Sequence, residues 1–546
     1  MSATGLHDLV NPPVRERTYR QSGLWTTDTL ASRVAVHARN APDSVAVIDD
    51  VGRRSHTYRQ LATASGALAQ KLSGLGLTRG GVASLQLPNR YEAVVCAVAI
   101  QSLGAVINPL LPNYRARELT HVFQAARPQV VITPGIDRGW AFPSMIEQVR
   151  GQSGIHPVHV VDGESGGDVR LSELLDGAEN VPLRHIDSEV SELIFTSGTE
   201  AIPKGIMHRE ANTNLAVRAL FADIGVATDQ VVWMPSPVGH STGFNYGVRA
   251  ALHDGKTLVL QDRWNASDAI ELVERFNCSY TLAATTFLRD LVEECERTGV
   301  RMPQLTHFGC GGAPVPPELV SRAQDVGICV LRLYGSTEVL CATWNRPDDP
   351  LHKRMRTDGR ALSYTEIDIR DEDGMSLPAA TAGELHVRGP QASVGFFDDP
   401  ERATATYLPD GWIRSGDLAE LDAEGHLTIV GRKKEIIIRG GVNIAPREIE
   451  DMLSTFPEIE RAVVIGVPDE RLGERTCAVV VVREGRALEL PDMVERLKAA
   501  GLATYKLPQL MRVMDELPMT PSGKVQKHEI ARRLVENPDH AEANQQ

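Results

Sequence analysis

The sequence predicts an α/β protein: a large N-terminal domain of parallel and mixed sheets covered by helices, then a small α+β C-terminal domain. Helix-spaced apolar residues followed by β-branched runs recur along the chain, which implies parallel strands joined by covering helices. The chain of 546 residues exceeds what one hydrophobic core usually organises. Near Gly431-Arg432-Lys433-Lys434-Glu435 the pattern changes to short strands and two helices, 446–455 and 492–500.

In chain order, Leu119, Val122, Phe123 and Ala126 mark one helix face, and after Pro128 the run Val130-Val131-Ile132 reads as a buried strand. Ile270, Val273 and Phe276 lead in the same way to a strand over 280–283. A helix over 317–326 leads to a strand over 329–333. The last two strands are expected to run into loops, Ala284-Thr285-Thr286-Phe287 and Tyr334-Gly335-Ser336-Thr337-Glu338. Strand ends of α/β sheets are where ligands usually sit. No internal repeat is evident, and the polar tail after Glu536 is expected to fray without carrying chemistry.

Apolar residues make up 42% and charged residues 23%, an ordinary globular composition that argues against bulk disorder. The formal net charge of −14 leaves no overall basic field for nucleic acid. Seven cysteines stand singly with no CxxC pair, which argues against a disulfide framework or a zinc site and for a cytoplasmic, reduced protein. The stretch from Ala93 to Leu111 is interrupted by Gln101, Ser102, Gly104, Asn108 and Pro109, and Met1 to Arg17 has no continuous apolar run. Neither a signal peptide nor a membrane span is expected.

After the strand-like Leu193-Ile194-Phe195 comes Thr196-Ser197-Gly198-Thr199-Glu200-Ala201-Ile202-Pro203-Lys204-Gly205. Small residues, hydroxyls and an ammonium in one loop suit a phosphate cradle, while Ser, Thr, Gly and Pro equally suit a surface turn. It is not a Walker A loop, because Pro203 precedes Lys204 and Gly205 follows it where Ser or Thr is required.

With the segments Gly311-Gly312-Ala313-Pro314, Tyr334-Gly335-Ser336-Thr337-Glu338, Ser415-Gly416-Asp417, Gly431 to Glu435, Gly440-Gly441-Val442-Asn443-Ile444 and Pro518-Met519-Thr520-Pro521-Ser522-Gly523-Lys524, this loop resembles the adenylate-forming superfamily: acyl-CoA synthetases, peptide-synthetase adenylation domains and beetle luciferases. The ordered matches span nearly the whole chain. Gly309-Cys310-Gly311 alone would mimic a dinucleotide fingerprint, but it continues into Pro314.

The resemblance implies ATP, Mg²⁺ and coenzyme A as cofactors and a carboxylic acid as substrate. ATP and AMP would be bound by Thr196, Ser197, Gly198, Thr199, Lys204, Gly312, Ala313, Pro314, Tyr334, Gly335, Thr337, Glu338, Asp417, Arg432 and Lys524. Tyr334 would stack on adenine, Thr337 would meet the α-phosphate, Asp417 would hold the ribose, and Glu338 with Thr196 would hold Mg²⁺. Catalytic roles fall to Lys524, Thr337 and His240. The acyl group would lie among His240, Thr285, Gly311 and Gly335, and CoA would pass Gly440 and Gly441. Lys434 would be the hinge between domains 1–433 and 434–546, the second a mobile lid carrying Lys524.

Gly23-Leu24-Trp25 and Thr199-Glu200-Ala201 look most like the medium-chain and alicyclic acyl-CoA ligases, of the cyclohexanecarboxylate type. Glu200-Ala201 departs from the commoner loop, and Glu200 is expected to face away from phosphate. Alternatives are an acyl- or aryl-AMP ligase loading a carrier-protein pantetheine, a degenerate nucleotide binder, and luciferase-like oxygenation. A homodimer and a lysine acetyltransferase acting on Lys524 are further expected partners.

Overall fold

The computed structural model describes residues 13–50, 54–164, 166–176, 181–186, 188–196, 203–439, 442–469, 471–519 and 525–536. The expectations for Ser197, Gly198, Thr199, Glu200, Ala201, Gly440, Gly441, Lys524 and the tail after Glu536 lie outside these residues.

The expected helix-to-strand units form. Helix Ala116–Ala126 precedes strand Val130–Pro134, Ala266–Arg275 precedes Cys278–Ala283, and Pro317–Asp325 precedes Val330–Ser336. Asn265 starts the second helix by accepting the Asp268 amide hydrogen, a cap that satisfies one of the orphan donors of the first turn. Strands Cys278–Ala283, His307–Cys310 and Val330–Ser336 pair in parallel inside a nine-stranded sheet, with Tyr280 opposite His307 and Phe308 opposite Val330. An eight-stranded sheet holds Val82–Leu85, Val106–Pro109 and Val130–Pro134 in parallel, and adds the antiparallel pair Glu192–Thr196 and Lys204–His208. Both sheets are therefore mixed.

Two expected loops are corrected. Thr285 opens the helix Thr285–Thr298 rather than lying in a loop. Tyr334-Gly335-Ser336 extends its strand, because the return strand Leu340–Trp344 pairs antiparallel with it and carries the ladder three residues further than the apolar run. Lys204 and Gly205 likewise belong to a strand, whose ladder begins with Thr196 opposite Lys204.

A four-stranded antiparallel sheet follows, ending in Ile413–Leu421 and Leu427–Arg432. The chain leaves it through the 3₁₀ turn Lys433–Glu435 and enters a five-stranded sheet at Ile437. That last sheet has its own core around Ile437, Ile449, Val464, Val480 and Leu497, covered by helices Pro446–Leu453 and Leu490–Ala499.

The two large sheets share one apolar core with a charge at its centre. Arg249, fully buried, ends the π-helix Phe244–Arg249 and donates to Glu192, Glu210, Asn214, Asn245 and Gln101. Asn245 turns back to donate to the other oxygen of Glu192 at 3.0 Å. Burial alone would push the guanidinium toward neutrality, but the carboxylates of Glu210 and Glu192 outweigh it and keep Arg249 charged. Removing one member of such a set strands the opposite charge in low dielectric. Arg249→Met is accordingly expected to lower stability by about 3–5 kcal/mol, read as a drop in the urea unfolding midpoint.

Candidate active site

The end of strand Val330–Ser336 collects the candidate residues. Tyr334 is buried and donates its phenol hydrogen to Asp417 Oδ2 at 2.7 Å. Arg432 sits opposite Asp417 on the neighbouring strand, with Nε 3.2 Å from Oδ1. The side chains expected at adenine and ribose thus form one hydrogen-bonded unit, and Asp417 is pinned through both oxygens. Burial and the adjacent carboxylate push the Tyr334 phenol well above its ordinary range, so it remains a donor.

Glycine is required at Gly335, since a Cβ there would stand 2.2 Å from the Leu340 carbonyl oxygen. Leu340 itself has φ +54, a left-handed conformation that costs a non-glycine residue about 1–2 kcal/mol. The return from Glu338 into Leu340–Trp344 is therefore tight, and it sets Thr337 and Glu338 at the bend. Gly312 has φ +77 and turns the chain from strand His307–Cys310 toward Ala313 and Pro314.

Glu338 is largely buried and meets Lys204 Nζ at 2.6 Å. Desolvation pushes its carboxyl up, while the Lys204 ammonium pulls it down and wins, leaving it below the usual carboxylate range. Thr196, opposite Lys204 in the ladder, has a buried Oγ1 with no hydrogen-bond partner among the described residues. A hydroxyl oxygen paired in the ladder with the lysine that meets an ionised carboxylate makes, with that carboxylate, a hard oxygen set, which fits Mg²⁺ bound through one carboxylate and completed by phosphates. Lys204 neutralises the same carboxylate, which makes it a partner of the proposed metal ligand as well as a candidate for phosphate.

His240 caps the short helix Ser241–Gly243, its Nδ1 accepting from the Thr242 amide at 3.2 Å. Nε2 therefore carries the ring proton. Thr285 donates to the Pro314 carbonyl at 3.1 Å, tying the expected acyl wall to the expected adenine platform. Gly311 is confined as well, because a Cβ there would lie 2.6 Å from the Leu333 carbonyl oxygen.

Lys434 is exposed in the turn between the last two sheets. Across this junction Arg447 Nη2 lies 3.9 Å from Asp358 Oδ2, whose other oxygen accepts from Arg332 at 2.7 Å. Sequence reasoning missed Lys527, which bridges Glu435 at 2.9 Å and Glu450 at 2.8 Å and so anchors the described residues that follow Lys524. It also missed His208 and Asn212, which reach the bend from beneath. Only its distance behind Lys204 sets His208 apart in sequence, and distance without a known ladder places nothing.

Known proteins resemble this chain along most of its length. The AMP-binding enzyme family matches residues 34–397, and the AMP-binding enzyme C-terminal domain matches residues 448–524. The medium-chain fatty-acid–CoA ligase of Escherichia coli (strain K12) is 36% identical over 536 residues, covering 96% of this chain and 94% of that protein. The salicyl-AMP ligase/salicyl-S-ArCP synthetase of Mycobacterium tuberculosis (strain ATCC 25618 / H37Rv) is 30% identical, covering 96% and 94%. The ATP-bound structure of MatB from Rhodopseudomonas palustris superposes with a TM-score of 0.82 at 25% identity, over 92% of this chain and 99% of that one.

The Lys204–Glu338 pair carries a pH signature. In the intact protein the depressed Glu338 pKa contributes stability that is present above about pH 4.5 and lost as pH falls through the depressed value. In Lys204→Met burial, the largest influence on Glu338, is opposed only by hydrogen bonds from Ser336 and the Glu338 backbone, so the carboxyl shifts upward and the sign reverses. The variant is expected to lose about 1–3 kcal/mol at pH 7 and less near pH 4.5, checked by thermal unfolding at both values.

Proposed function

This chain belongs to the AMP-binding enzyme family of adenylate-forming ligases, and from that premise we propose that it activates a carboxylic acid with ATP and transfers the acyl group to the thiol of coenzyme A. The observation that carries the reading is the convergence, at one strand end, of the Tyr334–Asp417–Arg432 unit and the Lys204–Glu338 pair.

In the first half-reaction a carboxylate oxygen of the acid attacks the α-phosphorus of ATP, and pyrophosphate leaves with the electron pair. No general base is needed, since the acid is already ionised near neutrality. Tyr334 would present its ring to adenine while its hydroxyl holds Asp417 toward the ribose, and Arg432 pairs with that carboxylate from the other side. Thr337 would donate to the α-phosphate, and Lys204 would meet the departing phosphates. Mg²⁺, held by Glu338 with Thr196, would supply charge neutralisation for the polyphosphate. The ammonium of Lys524 would stabilise charge developing between carboxylate and α-phosphate.

In the second half-reaction a thiolate attacks the acyl carbonyl carbon and AMP leaves. All seven cysteines are free, six of them buried. The described ones have thiols held above the ordinary range mainly by burial, as with Cys310, pushed up to about 12. That supports an external thiol over a covalent acyl-enzyme. Rotation of 434–546 about Lys434 would exchange Lys524 for the Gly440-Gly441 segment between the two halves.

The 36% identity to a medium-chain fatty-acid–CoA ligase favours a medium-chain or alicyclic acid. The relative that is a salicyl-AMP ligase and salicyl-S-ArCP synthetase favours a second reading, in which the acceptor is a carrier-protein pantetheine.

The test is pyrophosphate release from ATP across straight-chain, alicyclic and aromatic acids, with and without CoA. Acyl-CoA and AMP formed from one medium-chain or alicyclic class is the expected result, whereas acyl-adenylate persisting despite CoA selects the carrier reading. ATP binding without turnover on any acid would sink the ligase. Lys524→Ala is expected to slow adenylation by about 10²–10³-fold while sparing thioester formation from supplied acyl-adenylate, compared in single-turnover assays of each half.

A further inference from the structure

Beneath the bend that carries Thr337 and Glu338 lies a fully buried histidine that the mechanism above does not use. His208 ends strand Lys204–His208, and its Nε2 is 2.8 Å from the Thr337 carbonyl oxygen. Its Nδ1 is 2.8 Å from Asn212 Nδ2, and Asn212 is fully buried too, in the first turn of helix Glu210–Ile224.

The protonation state of this pair follows from groups that can play only one part. The backbone N–H of Arg209 can only donate, and it points at Asn212 Oδ1 at 2.8 Å. The remaining amide atom of Asn212 is therefore its NH₂, which donates to the Gln391 carbonyl at 3.0 Å and to His208 Nδ1. Nδ1 must accept, so the proton of neutral His208 resides on Nε2, where it is donated to the Thr337 carbonyl. Burial also holds the imidazole below its ordinary pKa. Nothing in this network tolerates the other tautomer.

Side chains of a strand alternate, so Lys204 and His208 share a face about 13 Å apart. The first holds the Glu338 carboxylate and the second holds the Thr337 carbonyl. The Glu338 carbonyl accepts from the Ser393 amide at 2.8 Å, which leaves the peptide groups on both sides of Glu338 fixed.

We propose that His208, set by Asn212 as the Nε2–H tautomer, is a positioning residue that fixes the Thr337–Glu338 peptide in the orientation that binds Mg²⁺·ATP. This rests on the nucleotide-binding reading of Thr337 and Glu338 given above. His208 touches no reacting atom. Its effect should fall on the affinity for the metal–nucleotide and on adenylation together.

The test compares His208→Gln with His208→Asn in the full-length protein. Glutamine places an amide N–H near the position of Nε2 and keeps the donor to Thr337. Asparagine stops near Nδ1 and loses it. Mg²⁺·ATP affinity is measured by calorimetry, the half-saturating Mg²⁺ concentration by carboxylate-dependent pyrophosphate release, and folding by the thermal midpoint. The expectation is that His208→Gln stays within about 3-fold of the parent in affinity, while His208→Asn binds about 10-fold more weakly and needs correspondingly more Mg²⁺. Equal loss in both variants, or an unchanged affinity in His208→Asn, overturns the proposal. Calorimetry separates this from the ligase reading, because a parent protein that binds Mg²⁺·ATP but turns over no acid would overturn the activity alone. A variant whose thermal midpoint collapses is replaced by Asn212→Leu. That change frees His208 Nδ1 without touching Thr337, and the same loss of affinity is expected from it.

Discussion

A guanidinium taken out of water must be matched on every side, and the matching of Arg249 governs how the N-terminal layers meet. Its partners come from separate elements: Gln101 from helix Tyr91–Ser102, Glu192 from the first residue of its strand, Glu210 and Asn214 from helix Glu210–Ile224. An apolar core of similar volume accepts small shifts between layers, but a charge with five directional partners does not. The π-helix that ends at Arg249 adds to this constraint. Gly247 lets it lie against Met234, where a Cβ would come within 2.6 Å of Cγ.

From that fixed centre the geometry propagates to the active site along one strand. Glu192 pairs with His208 across the ladder, and Thr196 pairs with Lys204 at its far end. The register set by the buried charge is thus the register that presents Lys204 to Glu338 and His208 to Thr337. A slip of one residue would turn both side chains to the opposite face. The bend they grip is independently tight, since a Cβ at Gly335 would meet the Leu340 carbonyl and Leu340 itself is left-handed.

The helix-to-strand units were legible in the sequence because apolar periodicity is local: Leu119, Val122, Phe123 and Ala126 are buried on one face as their spacing requires. The limits of strands were not. Tyr334 to Ser336 reads as a polar loop, but pairing with Leu340–Trp344 carries the strand through it, and that partner is fixed by the fold. Thr285 similarly opens a helix through its neighbours downstream. Lys527 and His208 carry no motif of their own. Their roles come from Glu435, Glu450, Thr337 and Asn212, three of them far away in sequence.

By itself the sequence determined the chemistry available and the order of its parts, because hydroxyls, carboxylates and lysines in ordered segments define a reaction class whatever their spacing in three dimensions. The tertiary structure alone decided which groups answer one another. Asp417 meets Tyr334 and Arg432, Glu338 meets Lys204, and Arg249 is enclosed by two glutamates. Electrostatic and hydrogen-bond energies depend on distance and burial, and neither is a property of a residue until the chain has folded around it.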